Sequence, residues 1–129
     1  MYKKAIVVGA GIAGLAVARA LAVKGYRVTV IERTGKALGA SIRNFGMVWP
    51  VGQPDGELYE RAMLSRSIWK EVCDEAGIWY DERGSLHIAR ADDEWQVLDE
   101  FMSVSGRKRG CRLLTPEETI RISEAVVTR

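Results

Sequence analysis

A chain of 129 residues with a net charge of +2 and 47% hydrophobic residues carries enough apolar material for one domain's core. So small a charge leaves no electrostatic footprint for nucleic acid, and the basic trio Arg107, Lys108 and Arg109 reads as a solvated helix end favoured by the dipole. No apolar run approaches the ~20 residues of a membrane span, so the expected partner is a small molecule, with neither nucleic acid nor membrane.

The first element is the apolar run Ala5 to Val8, which suits a parallel strand buried on both faces and is a core strand rather than a signal peptide. Gly9, Gly11 and Gly14 follow as G-x-G-x-x-G. In such a motif the first glycine allows the tight turn, the second a close approach of backbone to pyrophosphate, and the third close helix–strand packing. Leu15, Val17, Ala18, Leu21 and Ala22 then recur at helical spacing, predicting a helix from Ile12 to Lys24 that Gly25 ends. A second, β-branched strand spans Arg27 to Ile31, and Glu32 stands at its tip. A carboxylate about 20 residues beyond the glycines is placed to accept from a ribose hydroxyl, while helix N–H groups face the pyrophosphate. An acidic residue there suits the free 2′-hydroxyl of FAD or NAD and argues against NADP.

Residues 33–40 form a glycine-containing loop, and the stretch from Ser41 to Gly56 is too broken by glycine and proline for a long helix. Its interleaved polar groups (Ser41, Arg43, Asn44) and large apolar ones (Phe45, Met47, Trp49) fit either an extended segment along a flat ligand or a surface loop with buried anchors.

A strong amphipathic helix runs from Glu57 to Ala76, closed by Gly77. Two short strands are expected next, Ile78 to Asp81 and Ser85 to Ala89, joined by a turn at residues 82–84. Asp92 is the expected cap of a helix reaching about Ser105, and Thr115-Pro116-Glu117-Glu118 opens a last helix with an N-cap followed by proline. Trp69, Trp79, Tyr80 and Trp95 read as core or interface anchors. Cys73 and Cys111 lack metal or CxxC spacing and read as reduced thiols of a cytoplasmic protein. His87, the only histidine, alternates with Leu86 and Ile88 as a strand-face residue, and no metal site is expected.

Three stretches carry a resemblance: Gly9 to Gly14, Glu32-Arg33, and the Ser-x-Arg-Asn-x-Gly run from Ser41 to Gly46. On these the chain resembles the N-terminal part of FAD-dependent oxidoreductases of the D-amino-acid-oxidase superfamily, the glycine and sarcosine oxidases among them. The resemblance implies an α/β fold: a Rossmann-like FAD-binding βαβ unit of glutathione-reductase type, followed by the start of an α+β substrate domain. It divides the chain at residues 1–56 and 57–129 and implies FAD as cofactor. The implied FAD contacts are Gly9, Gly11, Ile12, Ala13 and Gly14 at the turn, with Glu32 and Arg33 at the adenosine ribose. Ser41, Arg43 and Asn44 would run along the pyrophosphate and ribityl chain, with Gly46 and Met47 near the flavin ring. The implied chemistry is oxidation of an amino acid or related amine at its CH–NH bond to an imine.

The residues that would hold that substrate come later in such relatives, so no catalytic residue is assigned and the chain is expected to be a fragment. Two parallel strands alone leave a sheet edge open to self-association. Without the Ser41–Met47 run, the same motifs would fit an NAD-dependent dehydrogenase, or a non-catalytic nucleotide-binding or assembly module.

Overall fold

A computed structural model describes residues 3–126. They form two compact units that divide between Met47 and Val48.

The first unit is a βαβ crossover. β1 (Lys4–Val8) and β2 (Arg27–Ile31) pair in parallel, Lys4 opposite Arg27 through Val8 opposite Ile31, and α1 (Ile12–Val23) joins them. The helix ends as its glycine demands. Gly25 has φ of +81°, its N–H donates to the Ala22 carbonyl, and that of Tyr26 reaches back to Leu21, which satisfies carbonyls the helix leaves open. One expectation for β1 fails: it is not buried on both faces. Val7 is buried beneath α1, but Ile6 is 68% and Val8 82% exposed, because α1 is the only described α-helix of this unit and covers one side of the pair.

In the second unit α2 (Glu57–Ala76) has the predicted limits, between Gly56 (φ +87°) and Gly77, which is left-handed and donates to the Cys73 carbonyl. α4 (Pro116–Ile122) is also as predicted. Thr115 Oγ1 accepts from the Glu118 N–H at 3.2 Å while Glu118 Oε2 accepts from the Thr115 N–H at 2.9 Å, a reciprocal cap.

Three readings of this unit need correction. Residues 78–90 contain no strand, although Gly84 turns with φ of +83° as expected. A two-stranded hairpin is marginal on its own, and this segment is instead tied to α2 by side chains, the Tyr80 hydroxyl donating to Asp74 at 2.8 Å and Lys70 to Glu82 at 2.9 Å. Trp79 is accordingly 84% exposed rather than an anchor, and His87 lies against the Trp49 ring (5.3 Å between centroids) instead of on a strand face.

The helix expected to reach Ser105 is α3 (Asp92–Phe101), continued by a π-helical segment, Met102–Gly106, and one 3₁₀ turn, Arg107–Arg109. Its first N–H groups are not held by Asp92. Glu94 Oε2 reaches back to the N–H groups of Arg90 (2.6 Å) and Ala91 (3.3 Å), so Ala91 is the capping position.

Arg109, finally, is not a solvated helix end. Its side chain is only 4% exposed and stacks over the Tyr59 ring at 4.2 Å. Nη1 donates to the Val51 and Gln53 carbonyls at 2.5 and 2.6 Å, and Nη2 pairs with Asp55. Asp55 also accepts from the buried Ser105 hydroxyl; that bond and the guanidinium hold its carboxyl below the usual range.

Candidate functional site: a glycine turn facing a carboxylate

The site is built where β1 passes into α1. Gly9 has φ of +99°, a conformation side chains resist, and its N–H donates to the Ile31 carbonyl at 2.7 Å, tying the turn to the end of β2. A Cβ on Gly14 would lie 2.0 Å from the Gly9 carbonyl oxygen, so only glycine lets α1 start this close to the strand. Gly11 precedes the first helical residue and faces Ser41, whose Oγ would sit 3.1 Å from an added Cβ. The first N–H groups of a helix have no partner within it. That of Ile12 donates to Ser41 Oγ at 2.8 Å, and those of Ala13 and Gly14 follow in the same turn.

Glu32 approaches the same turn from the tip of β2. Its Oε2 accepts from the Ala10 N–H at 2.7 Å, and Oε1 accepts from the Thr34 N–H at 3.2 Å and hydroxyl at 3.0 Å. These bonds, that of Ala10 first, hold the carboxyl below its usual range, so it is an anion across the neutral range.

A cleft of about 610 Å³ opens here, lined by Gly11, Glu32, Arg33, Thr34, Ser41 and Arg43 with residues 37–40. Five of the twelve sequence-predicted residues therefore line one cavity: Gly11, Glu32, Arg33, Ser41 and Arg43. Gly9, Ile12, Ala13 and Gly14 build the turn and first helical residues on either side of Gly11 without lining the cavity. Asn44, Gly46 and Met47 are not in its wall. The segment they belong to is a 3₁₀ turn, Ala40–Ile42, followed by a side-chain turn rather than an extended strip. Asn44 donates through Nδ2 to the Ser41 carbonyl and accepts through Oδ1 from the Gly46 N–H, both at 2.7 Å, which frees Gly46 to take φ of +65°.

Two contributors escape a reading by motif. Ala10 matters through its N–H alone, which no side chain announces. Thr34 could have been found, since a threonine two residues beyond a carboxylate is a common local partner.

The geometry fits a dinucleotide. A helix N-terminus supplies N–H donors for phosphate, a fixed carboxylate supplies an acceptor for ribose, and two arginines line the wall between. Comparison with known proteins says which dinucleotide. The family model for FAD dependent oxidoreductases matches residues 4–128.

The chain belongs to that family. Its Rossmann-like α/β fold and its cofactor, FAD, are the family's. Relatives with the name tRNA 5-methylaminomethyl-2-thiouridine biosynthesis bifunctional protein MnmC come from several bacteria. The one from Chromohalobacter salexigens is 34% identical over 103 residues, covering 76% of this chain and 15% of the relative. Another from Burkholderia ambifaria is 35% identical over 108 residues, covering 77% and 16%, and one from Pseudomonas entomophila is 35% identical over 92 residues, covering 70% and 12%. The chain thus spans about a sixth or less of the length of these curated relatives.

Their names overturn one expectation. A small-molecule amine or amino acid with no nucleic acid partner does not describe relatives that serve tRNA modification. Net charge misled because a chain spanning 15% of such a relative reports its own balance, not that of the surface where RNA would bind. Among the described residues no helix is long and apolar enough to cross a membrane.

Proposed function

We propose that this chain is the FAD-binding N-terminal portion of an oxidoreductase that takes an amine to an imine at a CH–NH bond. Residues 1–56 begin the FAD-binding domain, and 57–129 open the domain that receives the substrate. The carrying observation is Glu32, drawn to the Ala10 N–H at the mouth of a turn that only glycines can make. In this reading Gly11, Ile12, Ala13 and Gly14 meet the pyrophosphate, Gly9 shapes the turn, and Glu32 with Arg33 holds the adenosine ribose. Ser41, Arg43 and Asn44 carry the contact toward the flavin, with Gly46 and Met47 beyond. FAD supplies a two-electron acceptor; the protein's part is to bind it, fix its orientation and keep the anionic groups compensated.

The amine we favour is the aminomethyl-type side chain of a tRNA thiouridine, taken from the relatives' names. A buried free Cys73 and an unpaired Cys111 are in keeping with a reducing, cytoplasmic setting.

The test uses the protein as expressed from its gene. Substrates are tRNA bearing 5-aminomethyl-type thiouridines, a panel of free amino acids that includes glycine and sarcosine, and each with FAD or NAD. FAD-dependent oxidation of the tRNA is expected. Turnover of free amino acids alone would overturn the tRNA assignment, and NAD-dependent turnover would overturn the cofactor site.

A further inference from the structure

The fold sorts the basic run from Arg107 to Arg112 in two directions. Arg109 turns inward, to Asp55 and the Tyr59 ring. Gly110, with φ of +73°, then reverses the chain, and the Cys111 N–H donates back to the Gly106 carbonyl at 3.0 Å. That return brings Arg112 into one wall with Arg107, around a second cavity of about 270 Å³. Asp99, near the end of α3, lines the same cavity. All of these residues belong to the second unit.

The charges around this cavity do not cancel one another. No described residue bonds the Arg107 side chain, and Arg112 commits one donor to Glu118 at 3.3 Å while its others stay open. Asp99 forms no ion pair with either arginine and has no other partner among the described residues. The carbonyls at the end of a helical run favour a cation such as Arg107, but they ask nothing of Asp99 or Arg112. A ligand that satisfies the whole wall carries an anion for the guanidiniums and, a few bonds away, a donor for the carboxylate. The backbone of RNA has both, a phosphate and a 2′-hydroxyl, and DNA lacks the second.

We propose that this cavity is a subsite for one ribose-phosphate unit of an RNA strand, with the phosphate on Arg107 and Arg112 and the 2′-hydroxyl donating to Asp99. It rests on the tRNA reading of the proposed function and adds to it a contact with the strand itself. The small net charge of the chain is no obstacle, because the cations that matter are gathered at one place.

The wild type, Arg107→Gln, Arg112→Gln, Asp99→Ala and Lys108→Gln test it, each as the protein expressed from its gene. Fluorescence anisotropy follows the binding of a short single-stranded RNA, and of DNA of the same sequence, over a range of salt. Oxidation of tRNA with FAD is measured alongside. The wild type should prefer RNA by about three- to tenfold, the range of one hydrogen bond. Each arginine variant should weaken RNA by a similar factor and lower the salt slope by about 0.7, the loss of one phosphate contact. Glu118 stays held by the Thr115 N–H, so Arg112→Gln keeps the cap of α4. Asp99→Ala removes a negative charge and should bind DNA at least as well as the wild type, while the preference for RNA disappears. If it tightens both strands equally and the preference survives, the hydroxyl contact is overturned.

Lys108→Gln makes the same change of charge outside the cavity and should weaken RNA by less than about twofold. A loss as large as that of the arginine variants would reduce the site to general surface charge. Inorganic phosphate and glycine serve as competitors, and displacement of RNA by either as effectively as by unlabelled RNA would overturn the assignment in favour of a small anion or zwitterion. If the wild type oxidises tRNA while all variants bind RNA as it does, the subsite alone fails. If the wild type neither binds nor oxidises tRNA, the substrate reading fails and the subsite falls with it.

Discussion

The two units are organised by opposite means. In the first, backbone groups are decisive: the N–H groups of Ala10 and Ile12 are the donors, and Gly9 and Gly14 are there for what they lack. In the second, one long side chain gathers the structure, with Arg109 joining the Val51–Asp55 loop to Tyr59 and to the segment after α3. A site made of backbone needs the absence of side chains and cannot be adjusted by small steps. A latch made of a guanidinium needs several donors in a fixed fork, and only a residue with that fork can replace it.

The contrast can be broken most severely at Gly14. Alanine there puts a Cβ 2.0 Å from a backbone oxygen and 3.5 Å from Val7 Cγ1, so the turn must open. We expect Gly14→Ala to cost about 3 kcal/mol by denaturant unfolding and to abolish FAD retention. Wild-type stability in this variant would mean that the close approach is not required.

Arg109→Ala comes next, at about 2 kcal/mol, since it removes hydrogen bonds to two carbonyls and the stacking on Tyr59, while the Asp55 left behind can be hydrated. Arg109→Lys should recover little of this, because a point charge cannot span the Val51 and Gln53 carbonyls together with Asp55. Amide exchange at Ala10 and Ile12 should not change in either variant; faster exchange there would show that the two units are not independently specified.

The smallest effect is expected at Ser41. Removing its hydroxyl from the Ile12 N–H exposes a donor that water can reach, costing about 0.5–1 kcal/mol. Ser41→Ala should speed exchange of the Ile12 amide selectively. An unchanged rate would place that donor with another acceptor.

The same contrast explains what could be read from the amino acids. The first unit was legible because its logic is local: a strand, a turn only glycine can make, a helix and a strand follow one another, and Glu32 is found by counting. The limits of α2 and the cap of α4 were legible for the same reason, since Gly77 and Thr115-Pro116 act on their immediate neighbours. What escaped depends on distant partners. Arg109 looked like surface charge because the carbonyls it binds lie more than fifty residues back. Residues 78–90 have the alternation of strands but form none, with no third strand among the described residues to pair with. The Ser41–Gly46 run fitted either an extended strip along a ligand or a surface loop, and the pattern could not choose because the bonds that decide it, from Asn44 onto the chain's own backbone, are turn-forming contacts that polar composition alone does not announce.

The π-helical segment Met102–Gly106 gives the second unit an unusual vulnerability. Its hydrogen-bond spacing accommodates a residue that an α-helix would not, and each residue of an α-helix advances the side chains by about 100° around the axis. Adding one residue between Met102 and Gly106 would exceed what the wide turn absorbs and swing everything after it by that angle, carrying the guanidinium of Arg109 away from Tyr59. Exposed Ser103 and Val104 can therefore change identity at little cost, but the number of residues there cannot. What this stretch encodes is a length, and a gap opened here in an alignment would misplace the latch without altering a single one of its atoms.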